Sequence, residues 1–220
     1  MSKAKTIKFN GSEVTFSKPT TAAGVVITAV EATSTPTVSA TGLTAVKGDV
    51  IVITGLPGYD GSYVVASVAS SKVTLAGVDW SGKTVPTSFT NAKVAKVEFT
   101  ENFCTLKSFQ KSGASIEQVD VSTICSTDGK EYESGDREEG TVTMGFWLDP
   151  DSEVQAALEN YEFSGDKFWA KVKLANNKGT YLFYGSVETG LNLDGQVNGR
   201  WDSGIAIKVS GRRYFIGAGV

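Results

Sequence analysis

One stretch of this chain matches a chemical signature letter for letter. Gly77-Val78-Asp79-Trp80-Ser81-Gly82-Lys83-Thr84 fits the phosphate-binding pattern GxxxxGK[ST], and it follows an apolar run at Val73 to Leu75. In a nucleotide site the Lys-Thr pair opens a helix whose N-terminal amides cradle phosphate. Here Val85 and Pro86 follow at once and no helical period is present, so the motif lacks the context that gives it meaning. Phe146-Trp147-Leu148-Asp149 could supply a magnesium-binding strand, but its Asp is better used as a helix cap. The chain contains no His, which removes imidazole metal sites, Ser-His-Asp triads and Cys-His dyads together. Its two cysteines, Cys104 and Cys125, form no CxxC pair. No catalytic, cofactor-binding or metal-binding residue is assigned.

The stretch Asp128 to Glu139 concentrates six carboxylates, Asp128, Glu131, Glu133, Asp136, Glu138 and Glu139, against Lys130 and Arg137. It lacks the D-x-[DN]-x-[DN]-G spacing of a calcium loop. Nothing places two of its carboxylates across a sugar-sized cleft, as glycoside hydrolysis requires. A solvated acidic loop is the plain reading for an isolated chain, and a connection of this length tilts toward an interaction role. The aromatics Trp147, Trp169, Tyr181, Phe183, Tyr184 and Trp201 could line a carbohydrate groove, although aromatics on alternating strands usually pack in a core. Basic residues are scattered apart from Arg212-Arg213, and the net charge of −3 argues against a grip on nucleic acid.

These residues sit on a chain of 220 residues in which Val and Thr number 48, against 16 for Leu, Gln and Met combined. Strand formers dominate, and the expected class is all-β. Charge divides the chain: residues 1–93 hold 8 basic and 5 acidic residues, whereas 94–220 hold 13 basic and 19 acidic. Composition shifts at the same place, with 19–92 poor in charge and rich in Thr, Ser, Ala, Val and Gly. The expected organisation is an N-terminal arm over 1–19, a small inserted β domain over 20–93 and a main β domain over 94–220. In the insert, Val25 to Val30, Asp49 to Thr54, Ser62 to Val68 and Lys72 to Leu75 read as strands, with Ala32 to Thr41 as an exposed connection.

Beyond residue 93 the strands read as Val94 to Phe109, Ile116 to Ile124, Thr141 to Leu148, Lys167 to Leu174, Thr180 to Thr189 and Ser203 to Val209. A helix over about 150–163 interrupts them. Asp149 suits its cap, Pro150 its first position, and Val154, Ala157, Leu158 and Tyr161 recur at helical spacing. If Lys111 to Ala114 turns the chain between the first two of these strands, Cys104 faces Val121. Cys125 then lies on the order of 13 Å further along, beyond disulfide reach, and both thiols are expected to stay reduced. No apolar run is long enough to span a bilayer, so the chain is expected to be soluble in the cytoplasm where it is made.

The order of elements from 94 to 216, a little over half the chain, resembles the major tail tube protein of long-tailed bacteriophages. The resembling pieces are Ile116-Glu117-Gln118-Val119-Asp120-Val121-Ser122-Thr123, then Glu131-Tyr132-Glu133-Ser134-Gly135, then Glu139-Gly140-Thr141-Val142-Thr143. The helix Asp151-Ser152-Glu153-Val154-Gln155-Ala156-Ala157-Leu158, the hairpin into Tyr181-Leu182-Phe183-Tyr184-Gly185 and a closing Ile205-Ala206-Ile207-Lys208-Val209-Ser210-Gly211-Arg212 complete them. The resemblance implies a tail-tube-type β-sandwich or barrel flanked by one short helix, assembled as hexameric rings that stack into a hollow tube. DNA would pass through it without specific binding. The chain would be a virion tail component assembled in the host cytoplasm, with tape measure, tail tip and terminator proteins as partners and no membrane contact.

Such a conduit needs no enzyme activity and no cofactor, and the stretch 98–166 sets 16 acidic against 4 basic residues, a wall that would not retain polyphosphate. The expected subunit interface is Asp128, Glu131, Glu133, Asp136, Arg137, Glu138, Glu139, Arg212 and Arg213. The insert 20–93 is expected on the outside of the tube. The alternative is a two-domain β module that binds carbohydrate or protein.

Overall fold

The computed structural model describes residues 7–19, 23–123, 129–195, 197 and 199–217. The early strands are β1 (Glu13–Phe16), β2 (Val25–Val26), β3 (Ala29–Glu31), β4 (Thr37–Ser39), β5 (Val50–Thr54), β6 (Gly61–Ala69), β7 (Lys72–Leu75) and β8 (Lys93–Lys96). Next come β9 (Leu106–Lys111), β10 (Ser115–Asp120), β11 (Tyr132–Glu138) and β12 (Thr141–Trp147), then the helix α1 (Glu153–Ser164). The chain continues with β13 (Phe168–Lys173), β14 (Thr180–Asp194), β15 (Asp202–Val209) and β16 (Tyr214–Ile216). The protein is all-β with a single α-helix among the described residues, as its β-branched composition dictates.

Two compact units divide it. The first comprises residues 1–102, 171–182 and 214–220, and the second 103–170 and 183–213. Within the first, one seven-stranded sheet is drawn wholly from residues 25–96, in the order β2-β8-β5-β6-β7-β4-β3. Its core gathers Ile27, Val38, Ile51, Ile53, Leu56, Val65, Val73 and Val94 around Trp80. The Trp80 ring meets Tyr59 edge-on at 4.8 Å and Tyr63 at 5.3 Å. Its indole therefore closes a core, and such aromatic pairs add about 0.5–1.5 kcal/mol beyond their buried area. The stretch read as an exposed connection, Ala32 to Thr41, is in fact partly core: β4 lies in it, and Thr37, Val38 and Ala40 are buried. The alternation around Val38 is too short to stand out between Ser, Thr and Pro.

On either side of the sheet of residues 25–96 the chain runs antiparallel to itself. Ser17 bridges Phe99, the Lys18 amide donates to the Glu98 carbonyl at 2.8 Å, and the Thr100 amide donates to the Phe16 carbonyl. The Asn102 and Thr100 side chains accept from the Val14 and Phe16 amides. The long strand expected over Val94 to Phe109 is consequently broken, with residues 98–102 serving β1 by side-chain as well as main-chain bonds.

A second sheet runs β1-β13-β14-β15-β12-β9, with β16 pairing β14. In the second unit β15 buries Ser203, Ile205, Ile207 and Val209 in strict alternation, and antiparallel β12 buries Val142, Met144 and Phe146. Each fully buried side chain of this kind stabilises by about 1.5–3 kcal/mol. Helix α1 turns Val154, Ala157, Leu158 and Tyr161 inward, and Tyr161 stacks on Phe168 at 4.4 Å. The residue that caps α1 is Ser152, whose hydroxyl accepts from the Gln155 amide, and not Asp149 as expected. Asp149 instead accepts from the Asp151 amide across Pro150, so the proline shapes a turn before the helix. Gly165 ends α1 at φ 71°, its amide returning to the Tyr161 carbonyl.

Buried Gln155 ties the helix down with three bonds. Its Nε2 donates to the Trp147 carbonyl at 2.8 Å and to Thr105 Oγ1 at 3.2 Å, and its Oε1 accepts from the Asp149 amide at 3.0 Å. The turn expected to join Cys104's strand to that of Ile116 does not form a hairpin, because β9 pairs β12 while β10 pairs β11. Cys104 is an exposed free thiol ahead of β9; Cys125 lies outside the described residues.

Candidate functional site

The acidic stretch expected as a loop contains β11, which pairs antiparallel with β10 to form a two-stranded ribbon. Ile116 faces Arg137, Gln118 faces Ser134, Val119 faces Glu133 and Asp120 faces Tyr132, with a register shift between Ile116 and Gln118. Every residue of both strands is exposed, including the apolar Ile116, Val119 and Tyr132. A lone two-stranded ribbon is marginal in water, and its outer edges offer unpaired amides and carbonyls. Gly135 sits close to the partner strand: a Cβ there would come within 3.3 Å of Glu117 Cβ and Val119 Cγ2.

At the far end of the ribbon the Ser122 amide donates to Asp120 Oδ1, the Glu131 amide donates to Ser122 Oγ, and Lys130 pairs with Asp120 at 3.2 Å. The Ser122 hydroxyl and amide, followed by the Lys130 ammonium, hold the Asp120 carboxyl below the usual aspartate range. The opposite end is anchored. Ser112 exchanges bonds with the Thr141 amide and carbonyl, and Gly140, at φ 82°, leaves no room for a Cβ against Ser112 and Gly113.

Beside this anchor Glu139 is buried, only 6% exposed, with Arg137 at 2.7 Å and Lys111 at 3.8 Å. The Lys111 ammonium also donates to the Glu139 and Ser112 carbonyls. Glu138 turns the other way and pairs with Lys208 at 3.3 Å. Arg137, Glu139, Gly211, Arg212 and Arg213 line a cavity of about 510 Å³.

The nine residues expected at an interface thus fall into two places. Glu131, Glu133 and Asp136 are exposed on and beside the ribbon, while Arg137, Glu139, Arg212 and Arg213 converge at its base, where Glu138 pairs with Lys208. Asp128 lies outside the described residues. Lys111, Ser112, Gly140 and Lys208 were not anticipated; the Lys-Ser-Gly run ahead of an acidic stretch was the available signal. Besides Lys130 and Arg137 within the stretch, Lys111 and Lys208 pair with its carboxylates.

Elsewhere, the phosphate-like motif is a turn whose Lys83 ammonium donates to the Gly58 carbonyl and lies over the Tyr59 ring, with no helix following it. The aromatics considered as a sugar platform are dispersed. Trp169 and Phe183 are buried, Trp169 packs on Tyr184 at 4.9 Å, Tyr181 packs on Phe215, and Trp147 is covered by Lys107 at 4.0 Å. No helix among the described residues is long and apolar enough to cross a membrane.

No family model matches the chain, and no curated protein does. Two solved structures are similar to it. One is the tail of an empty GTA particle with C6 symmetry, at 20% identity over 52% of this chain and 84% of that one, with a TM-score of 0.44. The other is the SPP1 tail tube, at 15% identity over 64% of this chain and 72% of that one, with a TM-score of 0.39.

Proposed function

We propose that this chain is the major tail tube protein of a long-tailed phage, and that its copies assemble into stacked hexameric rings forming a passive conduit for DNA. The observation that carries this reading is the β10–β11 ribbon, which exposes all of its residues yet is tied at its base through Ser112–Thr141 and Glu138–Lys208. A ribbon so built gains stability only when a neighbour covers it, and a heterologous contact of that kind closes into rings or extends into a filament. Ion pairs at the base hold the ribbon's direction; the carboxylates of Glu131, Glu133 and Asp136 remain for a neighbour's cations.

The role is structural and calls on no catalytic residue. DNA passes without specific binding, because the acidic stretch 98–166 repels phosphate. Tape measure, tail tip and terminator proteins would meet the ends of the tube, with assembly in the host cytoplasm and the product in the virion tail. The body 20–93 sits outside the tube, a placement supported by a sheet drawn wholly from residues 25–96 and by the Lys18–Glu98 bond that brings the two flanking chain segments together.

Reversing Glu133→Lys together with Asp136→Lys tests the reading. Both side chains are exposed, so the circular dichroism spectrum should stay native. Sedimentation should show loss of large assemblies that the unaltered chain forms; unchanged assembly would overturn the reading.

A further inference from the structure

Helix α1 has a second face that its core stripe does not explain. Ala156, Glu159 and Phe163 line up on its outer side, and Phe163 is 80% exposed. Opposite them lies the far end of β14, where Leu193 is 65% exposed beside Leu191. With Leu148 and Pro150 they enclose a groove of about 420 Å³.

Its walls are fixed. Glu162 Oε2 accepts from the Leu191 amide at 3.0 Å, and a Cβ on Gly190 would collide with the Glu162 carboxylate. The rim is acidic, formed by Asp149, Glu159 and Glu162, and no cation is among the described residues that line the groove. Glu159 is exposed and engaged by no other described residue. An apolar floor with an acidic rim selects a segment that is apolar and basic at once.

We propose that the groove receives the N-terminal stretch 3–9 of a second copy of this chain, an inference that rests on the assembly reading above. That stretch holds Lys3, Lys5, Ile7, Lys8 and Phe9, and its chain carries no acidic residue before Glu13. Ile7 and Phe9 are about half exposed in the single chain. In an extended backbone Lys3, Lys5, Ile7 and Phe9 fall on one side, so two apolar side chains can fill the floor while two ammonium groups meet the rim. The competing occupants fit less well. The β10–β11 ribbon is acidic and would be repelled, and the other basic and apolar run, Arg212 to Ile216, is committed through β16 to β14.

Carbodiimide coupling tests this on the full chain, because it joins an amine to a carboxylate only where they touch. Isotope-labelled and unlabelled chains are mixed in equal amounts, assembled, coupled and digested for mass spectrometry. Links from Lys3, Lys5 or Lys8 to Glu159 or Glu162 are expected, with as many mixed-isotope pairs as uniform ones. The single changes Lys5→Glu and Glu159→Lys should each lower assembly several-fold, and the two together should restore it. Links confined to one isotope, or none at all, would overturn the inference. Tubes without these links would overturn it alone, whereas links without tubes would overturn the tube reading and leave the contact standing.

Discussion

The Arg137 guanidinium lies 2.7 Å from the carboxylate of Glu139, two residues further along, where the exposed ribbon meets the buried body of the second unit. Arg137 is more than half exposed, whereas Glu139 is almost fully covered and faces the largely covered Lys111 at 3.8 Å. Removing the buried partner should therefore cost more than removing the exposed one. Glu139→Ala leaves Lys111 without a carboxylate and should lower stability by about 3 kcal/mol, as breaking a buried ion pair does. Arg137→Ala should cost at most about 1 kcal/mol. Urea midpoints of the two variants check the order. For the same reason Glu139 is unsuited to charge reversal as a probe of assembly, since Lys there would disturb the monomer.

Gln155 should prove to be the polar anchor of α1. Gln155→Leu keeps the bulk but strands the Trp147 carbonyl and the Asp149 amide. A loss of about 1–3 kcal/mol is expected, the cost of leaving buried polar groups unsatisfied, and thermal unfolding followed by circular dichroism would register it.

Trp80 should matter to the core of 25–96, and Lys83 should not. Trp80→Ala is expected to cost about 3–5 kcal/mol. Lys83→Ala should stay within about 0.5 kcal/mol, because its side chain is exposed and its bond to the Gly58 carbonyl lies in solvent. If the insert is semi-independent, calorimetry of the full Trp80→Ala chain shows one transition lowered and a second unmoved. A single transition shifted as a whole would place these strands in one shared core.

The far end of the ribbon should loosen in acid. Asp120 has a lowered value when folded, so its contribution is fully present above its ordinary value near 3.8 and is lost as pH falls below that, through the lowered folded value. Hydrogen exchange at the Ser122 amide, which donates to Asp120, should accelerate in that window relative to amides of β12. Equal protection at pH 6 and below pH 3.8 would contradict it.

The strands with strict alternation, β12 and β15, were legible in the sequence, and so was the apolar stripe of α1. What was not legible followed from partners far along the chain. Residues 98–102 look like a continuing strand until Thr100 and Asn102 are seen serving β1. β11 reads as a loop because its residues, Tyr-Glu-Ser-Gly-Asp-Arg-Glu, show no apolar alternation; its pairing comes from the register with β10 and not from burial. The charged residues of the ribbon base were named from sequence, but their cations Lys111 and Lys208 were not, because each comes from a different strand. Phe163 lies off the core stripe of α1, a signal that was available and unused.

The most direct test of the central claim is negative-stain electron microscopy of the purified full chain over a range of concentrations. The tube reading predicts rings of six-fold symmetry and hollow tubes of constant bore. Single compact particles at every concentration would contradict it.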